Sequence, residues 1–298
     1  MNHIVKRIGI LTGVFAAALC VFFLANNRWN SGQDQAVYMD MEAASLPSIT
    51  VQMLGRDMNR LYGYRQEMNT TAAGENLTIL PEDRALTVDI TGGGVTGISY
   101  EVRSMDRARL VERTEVSDWQ QTQQGIAATL PIQNLLTKER EYQLIIQLDT
   151  ENYGSVYYYT RILWTDSAQH ARDMVDLAAD FSIKTFDYEQ AKSLTTYLET
   201  SPSEDNSTFG HTSIHSSFSQ LTWGGLKMEL VGEMETTLQE LDGIMGQIKV
   251  SYQVSRTAEQ GNTESYEVTD YYTVKWTEKR IYLMDFDRKM NQIFSGER

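Results

Sequence analysis

Residues 142–163 read YQLIIQLDTENYGSVYYYTRIL, a β-type run, a turn and a second β-type run. Tyr142, Leu144, Ile146 and Leu148 fall on every second residue and so share one face of an extended strand. The Asp149–Gly154 segment supplies the Asp, Asn and Gly of a turn, and Val156 to Leu163 returns through Tyr157-Tyr158-Tyr159. β-Branched and aromatic residues at this density favour a pleated, half-buried surface.

The same cadence extends toward the N-terminus. Ile49, Val51 and Met53 alternate, and Leu61, Tyr62 and Tyr64 follow a polar turn. Leu77 and Ile79 precede Pro81, and Leu86, Val88 and Ile90 run into Gly92-Gly93-Gly94. Ile98, Tyr100 and Val102 alternate again, with Leu110 to Val116 as a hairpin partner across the turn at Met105-Asp106-Arg107-Ala108. Ile126 to Ile132 adds another strand. Closely spaced short strands predict an antiparallel β-sandwich over residues 47–164. Their cadence resembles the immunoglobulin- and fibronectin-type modules of bacterial surface proteins, without the cysteine pair of the former or a tryptophan assigned as its core pin.

Residues 165–298 predict an α+β domain with two helices and an antiparallel sheet. Asp166 or Ser167 caps a helix whose apolar stripe is Ala171, Met174, Val175 and Ala178. A second helix starts at Asp187, with Gln190 completing a capping box and Ala191, Leu194 and Leu198 facing inward, and ends before Pro202. Leu226, Met228 and Leu230 predict a strand, and Met234 to Leu241 fits a strand or a short helix. Ile248, Val250, Tyr252 and Val254 alternate, and Tyr266, Val268, Tyr272, Val274 and Trp276 keep one parity across Asp270. Ile281 to Phe286 is the next strand, and Met290, Ile293 and Phe294 predict a terminal helical turn. This order resembles cone-shaped domains in which a sheet wraps a helix.

Ahead of these regions lies IGILTGVFAAALCVFFLA, residues 8–25, with no charged side chain. A helix rising 1.5 Å per residue would carry this run across a hydrocarbon core of roughly 30 Å. Lys6 and Arg7 precede it, which predicts a cytoplasmic stub at 1–7, a single transmembrane signal-anchor at 8–25 and an extracytoplasmic remainder. Phe23 and Leu19 occupy positions where signal peptidase and lipobox processing need small residues, so the segment is read as uncleaved. Residues 26–46 are polar, lack a sustained period and serve as a tether.

The formal net charge is −14, and Lys6 and Arg7 are the only Lys, Arg, Asp or Glu residues before position 26. An acidic surface repels nucleic acid and anionic headgroups, so nucleic acid is not an expected partner. The single cysteine, Cys20, lies in the apolar run, leaving packing rather than disulfides to stabilise the exported part. That usage fits a bacterial cell-envelope protein.

No catalytic signature emerges, and neither a cofactor nor a metal is expected. His211 and His215 stand four apart near Glu204 and Asp205, a weak metal candidate because they lie in a Ser/Thr-rich loop without HExxH. Gly92-Gly93-Gly94 lacks the lysine and spacing of a phosphate loop and reads as a hairpin or bulge. Asp285 and Asp287 share a parity, but Arg280, Arg288 and Lys289 beside them predict a solvent-facing ion-pair edge. Trp119, Tyr157, Tyr159 and Tyr271 make up the candidate interaction surface, since exposed aromatics mark binding. Trp119, with Asp118, is also the candidate sugar-stacking ring. The expectation is a non-catalytic, membrane-anchored scaffold or accessory regulator with a membrane or envelope protein partner. Cell-wall glycan or small-ligand binding is the alternative, and an envelope hydrolase ranks below both.

Overall fold

The computed structural model describes residues 13, 15–19, 22, 46–68, 74–134, 136–257 and 263–294. By its contacts the chain divides into two compact units, Met1–Ala44 and Ser45–Arg298. In the first, Gly13, residues 15–19 and Phe22 are helical and exposed. The rest of the predicted anchor, with the stub and most of the tether, lies outside the described residues. Among the described residues, no helix is long and apolar enough to cross a membrane.

Among the described residues the second unit is mainly β, with three five-stranded sheets and few helices. The first sheet has the order β2-β1-β4-β8-β7: β2 (Arg56–Tyr62), β1 (Ser48–Met53), β4 (Ala85–Thr91), β8 (Ile126–Pro131) and β7 (Trp119–Gln121). The second has the order β3-β10-β9-β5-β6: β3 (Leu77–Ile79), β10 (Gly154–Leu163), β9 (Glu141–Thr150), β5 (Val95–Ser104) and β6 (Leu110–Glu115). All pairs are antiparallel except β3 with β10. The 142–163 hairpin forms as read, with Leu148 opposite Val156 and Tyr142 opposite Ile162. Ile49, Val51, Leu86, Val88 and Leu130 of the first sheet and Tyr100, Val102, Leu144, Ile146 and Tyr158 of the second are buried in a common apolar core, as a β-sandwich requires.

The third sheet has the order β11-β15-β14-β13-β12: β11 (His211–Ser213), β15 (Tyr282–Ile293), β14 (Thr263–Lys275), β13 (Met245–Thr257) and β12 (Glu229–Asp242). Helix α1 (Ala168–Lys184) packs on it, burying the predicted stripe Ala171, Met174, Val175 and Ala178 together with Phe181 and Ser182. Asp187 caps α2 (Tyr188–Ala191) by accepting from the N–H groups of Glu189 and Gln190, and the Gln190 amide donates back to it at 2.9 Å. That helix is shorter than predicted and tightens into a 3₁₀ turn over Lys192–Thr196. Ser217 caps a third short helix, α3 (Phe218–Leu221).

Three local expectations change. Ser167 stands at the N-cap of α1 without a side-chain capping bond, and Asp166 pairs with Lys138 instead. Leu226 and Met228 precede β12, which then runs through the ambiguous Met234–Leu241 stretch as strand. The predicted terminal helical turn is strand: β15 continues to Ile293 because β14 pairs with it as far as Ser265.

One buried asparagine ties the sandwich to the third sheet. Asn59 interrupts the β1–β2 register with φ of 52°, a left-handed conformation that asparagine tolerates better than most residues. Its amide donates to the Leu77 carbonyl at 2.8 Å, and its Oδ1 accepts from the Leu238 N–H at 2.9 Å. Nearby, Arg161 of β10 pairs with Glu141 and with Glu240 of β12, each at 3.0 Å.

Candidate functional site

Among the described residues, chemistry-bearing side chains gather on each face of the third sheet. On the inner face, Asp270 and Arg288 are direct partners across β14 and β15. The guanidinium forks onto the carboxylate, Nε to Oδ1 at 2.7 Å and Nη2 to Oδ2 at 2.9 Å. Oδ2 also accepts from the hydroxyls of Ser182, Tyr252 and Tyr272 at 2.7, 3.1 and 3.2 Å. Arg288 donates further to the Leu221 carbonyl and the Thr185 hydroxyl, and its guanidinium sits 4.3 Å from the centre of the Trp223 ring.

This cluster is sealed. Asp270 is 0% exposed and Arg288 1%. Burial pushes the phenols of Tyr252 and Tyr272 well above their ordinary value, and the Asp270 charge pushes the same way. For Arg288, burial works against the charge, but Asp270 beside it outweighs that cost and raises its pKa above the usual arginine value. The predicted solvent-facing ion-pair edge is therefore corrected at Arg288. It shares the inward parity of Phe286, whereas Arg280 and Lys289 are exposed. Asp285 is exposed, and Asp287 turns to His211 and, at 3.8 Å, to Lys289.

The outer face borders an open cleft of about 620 Å³ between the sandwich and the third sheet. Gly63 builds its aromatic wall. A Cβ there would lie 2.5 Å from Val156 Cγ1 and 2.9 Å from the Tyr158 hydroxyl, so only glycine lets the chain lie this close to β10. Tyr62 and Tyr64 flank it, 60% and 44% exposed. Arg60 pairs with Glu235 of β12 at 2.7 Å, and the Tyr62 hydroxyl donates to the same carboxylate at 3.1 Å. Lys249 of β13 reaches Glu75 at 3.3 Å. Glu267 of β14 completes the wall, and among the described residues its carboxylate makes no ion pair or hydrogen bond. Burial raises the Tyr62 phenol above its ordinary pKa, Glu235 adds to this, and Glu267 contributes in the same direction.

The structure disperses the four predicted interaction residues. Trp119 lies half-buried on the edge strand β7, against the core. Tyr157 is half-buried on β10 and exchanges backbone hydrogen bonds with Tyr64 at 2.9 Å. Tyr271 is on the outer face of the third sheet, with Lys289 5.2 Å from its ring centre. Tyr159 alone reaches the cleft, and it is 4% exposed rather than open. Its ring meets Tyr64 edge-on at 5.9 Å, Arg107 lies over it, and its hydroxyl accepts from the Met68 N–H at 2.7 Å. Tyr62 and Tyr64 were legible as alternating with buried Leu61, and aromatics on the solvent side of a strand are the signal that points to them.

The two histidines do not converge. His211 pairs with Asp287, and His215 Nδ1 lies 2.9 Å from the Glu199 carbonyl oxygen. Among the described residues, no group of three or more His, Cys, Asp or Glu side chains is placed to hold a metal ion. In comparisons with known proteins, the chain matches no protein-family model and no curated sequence.

Proposed function

We propose that this chain is a single-pass envelope protein, anchored through residues 8–25, with its N-terminus in the cytoplasm. Beyond the tether it acts outside as a non-catalytic protein-interaction scaffold or accessory regulator. The observation that carries the interaction reading is the open cleft, where exposed tyrosines stand among charged side chains of both signs at the junction of two layers. Clefts at such junctions are preferred binding sites, and tyrosine is enriched where proteins meet. The cluster with catalytic residue types, Asp270, Arg288, Tyr252 and Tyr272, is buried, so a substrate has no access to it.

An immunoglobulin- or fibronectin-type sandwich is the finer reading of the first two sheets. It is supported by the strand orders β1-β4-β8 and β10-β9-β5-β6, which place the first two strands of a sandwich beside its fifth and its last two beside its third. Tyr142 supports it too. At the start of β9 its hydroxyl accepts from the Thr137 N–H at 3.1 Å, the backward bond of a tyrosine corner. Glycan binding at Trp119 is the weaker reading, because that ring packs half-buried against the core.

Crosslinking in intact cells tests the scaffold reading: one partner recovered reproducibly is the expected result, and repeated absence of any specific partner contradicts it. Reporter fusions after Trp29 should be extracytoplasmic, with residues 1–25 retained in the mature protein. A cytoplasmic reporter, or a product lacking those residues, contradicts the anchor.

A further inference from the structure

We infer that the cleft binds a lysine- or arginine-bearing segment of a partner protein, the cation lying between the Tyr62 and Tyr64 rings and Glu267. This rests on the protein-interaction reading and names the chemistry of the partner. The charges inside the cleft are unevenly matched. Arg60 is taken by Glu235 and Lys249 by Glu75, which among the described residues of the cleft leaves the Glu267 charge uncompensated. The Tyr62 and Tyr64 rings are both exposed beside it; Arg60 already lies 5.8 Å from the centre of the Tyr62 ring, and Tyr64 meets Tyr159 edge-on. A cation against an aromatic face is attracted by the ring quadrupole, and the aliphatic stem of lysine or arginine covers the rest of the ring.

A neutral glycan fits these walls less well. It would cover Glu267 without supplying a countercharge, and desolvating a carboxylate uncompensated is costly. A basic segment supplies that charge, and the formal charge of −14 steers such a partner toward the protein from a distance.

The test is fluorescence anisotropy of a short labelled peptide alternating lysine with serine. It is titrated with the full chain in detergent micelles, beside a glutamate–serine peptide and a labelled chito-oligosaccharide. The lysine peptide should bind and the other two should not. Glu267→Gln, Tyr62→Ala and Tyr64→Ala should each weaken it about tenfold, with the thermal unfolding transition of each variant retained. Glu278→Gln, in the turn beyond the end of β14, should change binding less than about twofold if the cleft rather than general acidity is responsible. Failure of the lysine peptide to bind, equal losses at Glu267 and Glu278, or tighter binding of the oligosaccharide would each overturn the inference. A partner that crosslinks in cells through a different surface would leave the scaffold reading standing without this site.

Discussion

On the inner face of the third sheet a carboxylate, a guanidinium and two tyrosines are wholly buried and mutually satisfied. On the outer side the same kinds of group, Glu267, Arg60, Tyr62 and Tyr64, face solvent, and among the described residues the Glu267 carboxylate has no side-chain partner. Chemistry by residue type does not separate the two regions; access and satisfaction do. A closed polar network specifies how elements pack, because each member left unpaired in a low dielectric is penalised. Here it fixes the end of α1 through Ser182 and Thr185, the end of α3 through Leu221, and the turn after it through Trp223. An open, partly unpaired set of the same groups retains interaction capacity for a partner.

The largest expected effect breaks the sealed side. Arg288→Ala leaves Asp270 buried without its countercharge and should cost about 3–5 kcal/mol in urea unfolding. Asp270→Leu combined with Arg288→Met should recover most of that loss, because a neutral apolar pair replaces the charge pair. If the double variant is no more stable than the single one, the hydrogen bonds of the network, rather than charge compensation, dominate.

Next comes Asn59. Asn59→Ala orphans the Leu77 carbonyl and the Leu238 N–H and places alanine at positive φ, with an expected loss of about 2–4 kcal/mol. Gly63→Ala should cost about 1–3 kcal/mol by overpacking against Val156 and Tyr158, and should also weaken ligand binding by moving the tyrosine wall. Loss of stability with binding intact would mean that Gly63 does not set that wall.

Smallest is the exposed pair. Glu235→Gln, which removes the charge opposite Arg60, should change stability by no more than about 1 kcal/mol.

Alkali tests the sealed face. Tyr252 and Tyr272 hold their protons in the folded state well beyond the ordinary tyrosine value of 10.0. Below pH 10 their protonation is the same in both states and contributes no slope. Above it the unfolded chain ionises first, so stability falls as pH rises toward the folded pKa values. Tyr252→Phe should flatten that fall in pH-dependent urea melts. An unchanged slope would assign the alkaline loss to other groups.

Much of the sheet structure was legible because strand parity alone predicts it. Ile248, Val250 and Tyr252 face inward as their alternation requires, and the buried stripe of α1 is the one its spacing gives. The sealed network was half legible. Asp270 shares parity with Val268 and Tyr272, which marks it as inward, and Arg288 shares parity with Phe286. What local sequence could not provide was the β14–β15 register that sets the two charges opposite each other, so Arg288 looked like a surface charge. The cleft was less legible still. It joins Tyr62 to Glu235 and Lys249 to Glu75 across more than half the chain, and no local period reports such contacts.

The interaction reading places the partner at the open cleft rather than at the sealed network. The most direct measurement places a photo-reactive phenylalanine analogue at Tyr64 in the full-length chain and irradiates intact cells. A single specific adduct with a partner protein, lost when Glu267→Gln is added, is the expected result. No adduct at Tyr64, while the same probe at Tyr271 or Trp119 yields one, would contradict it.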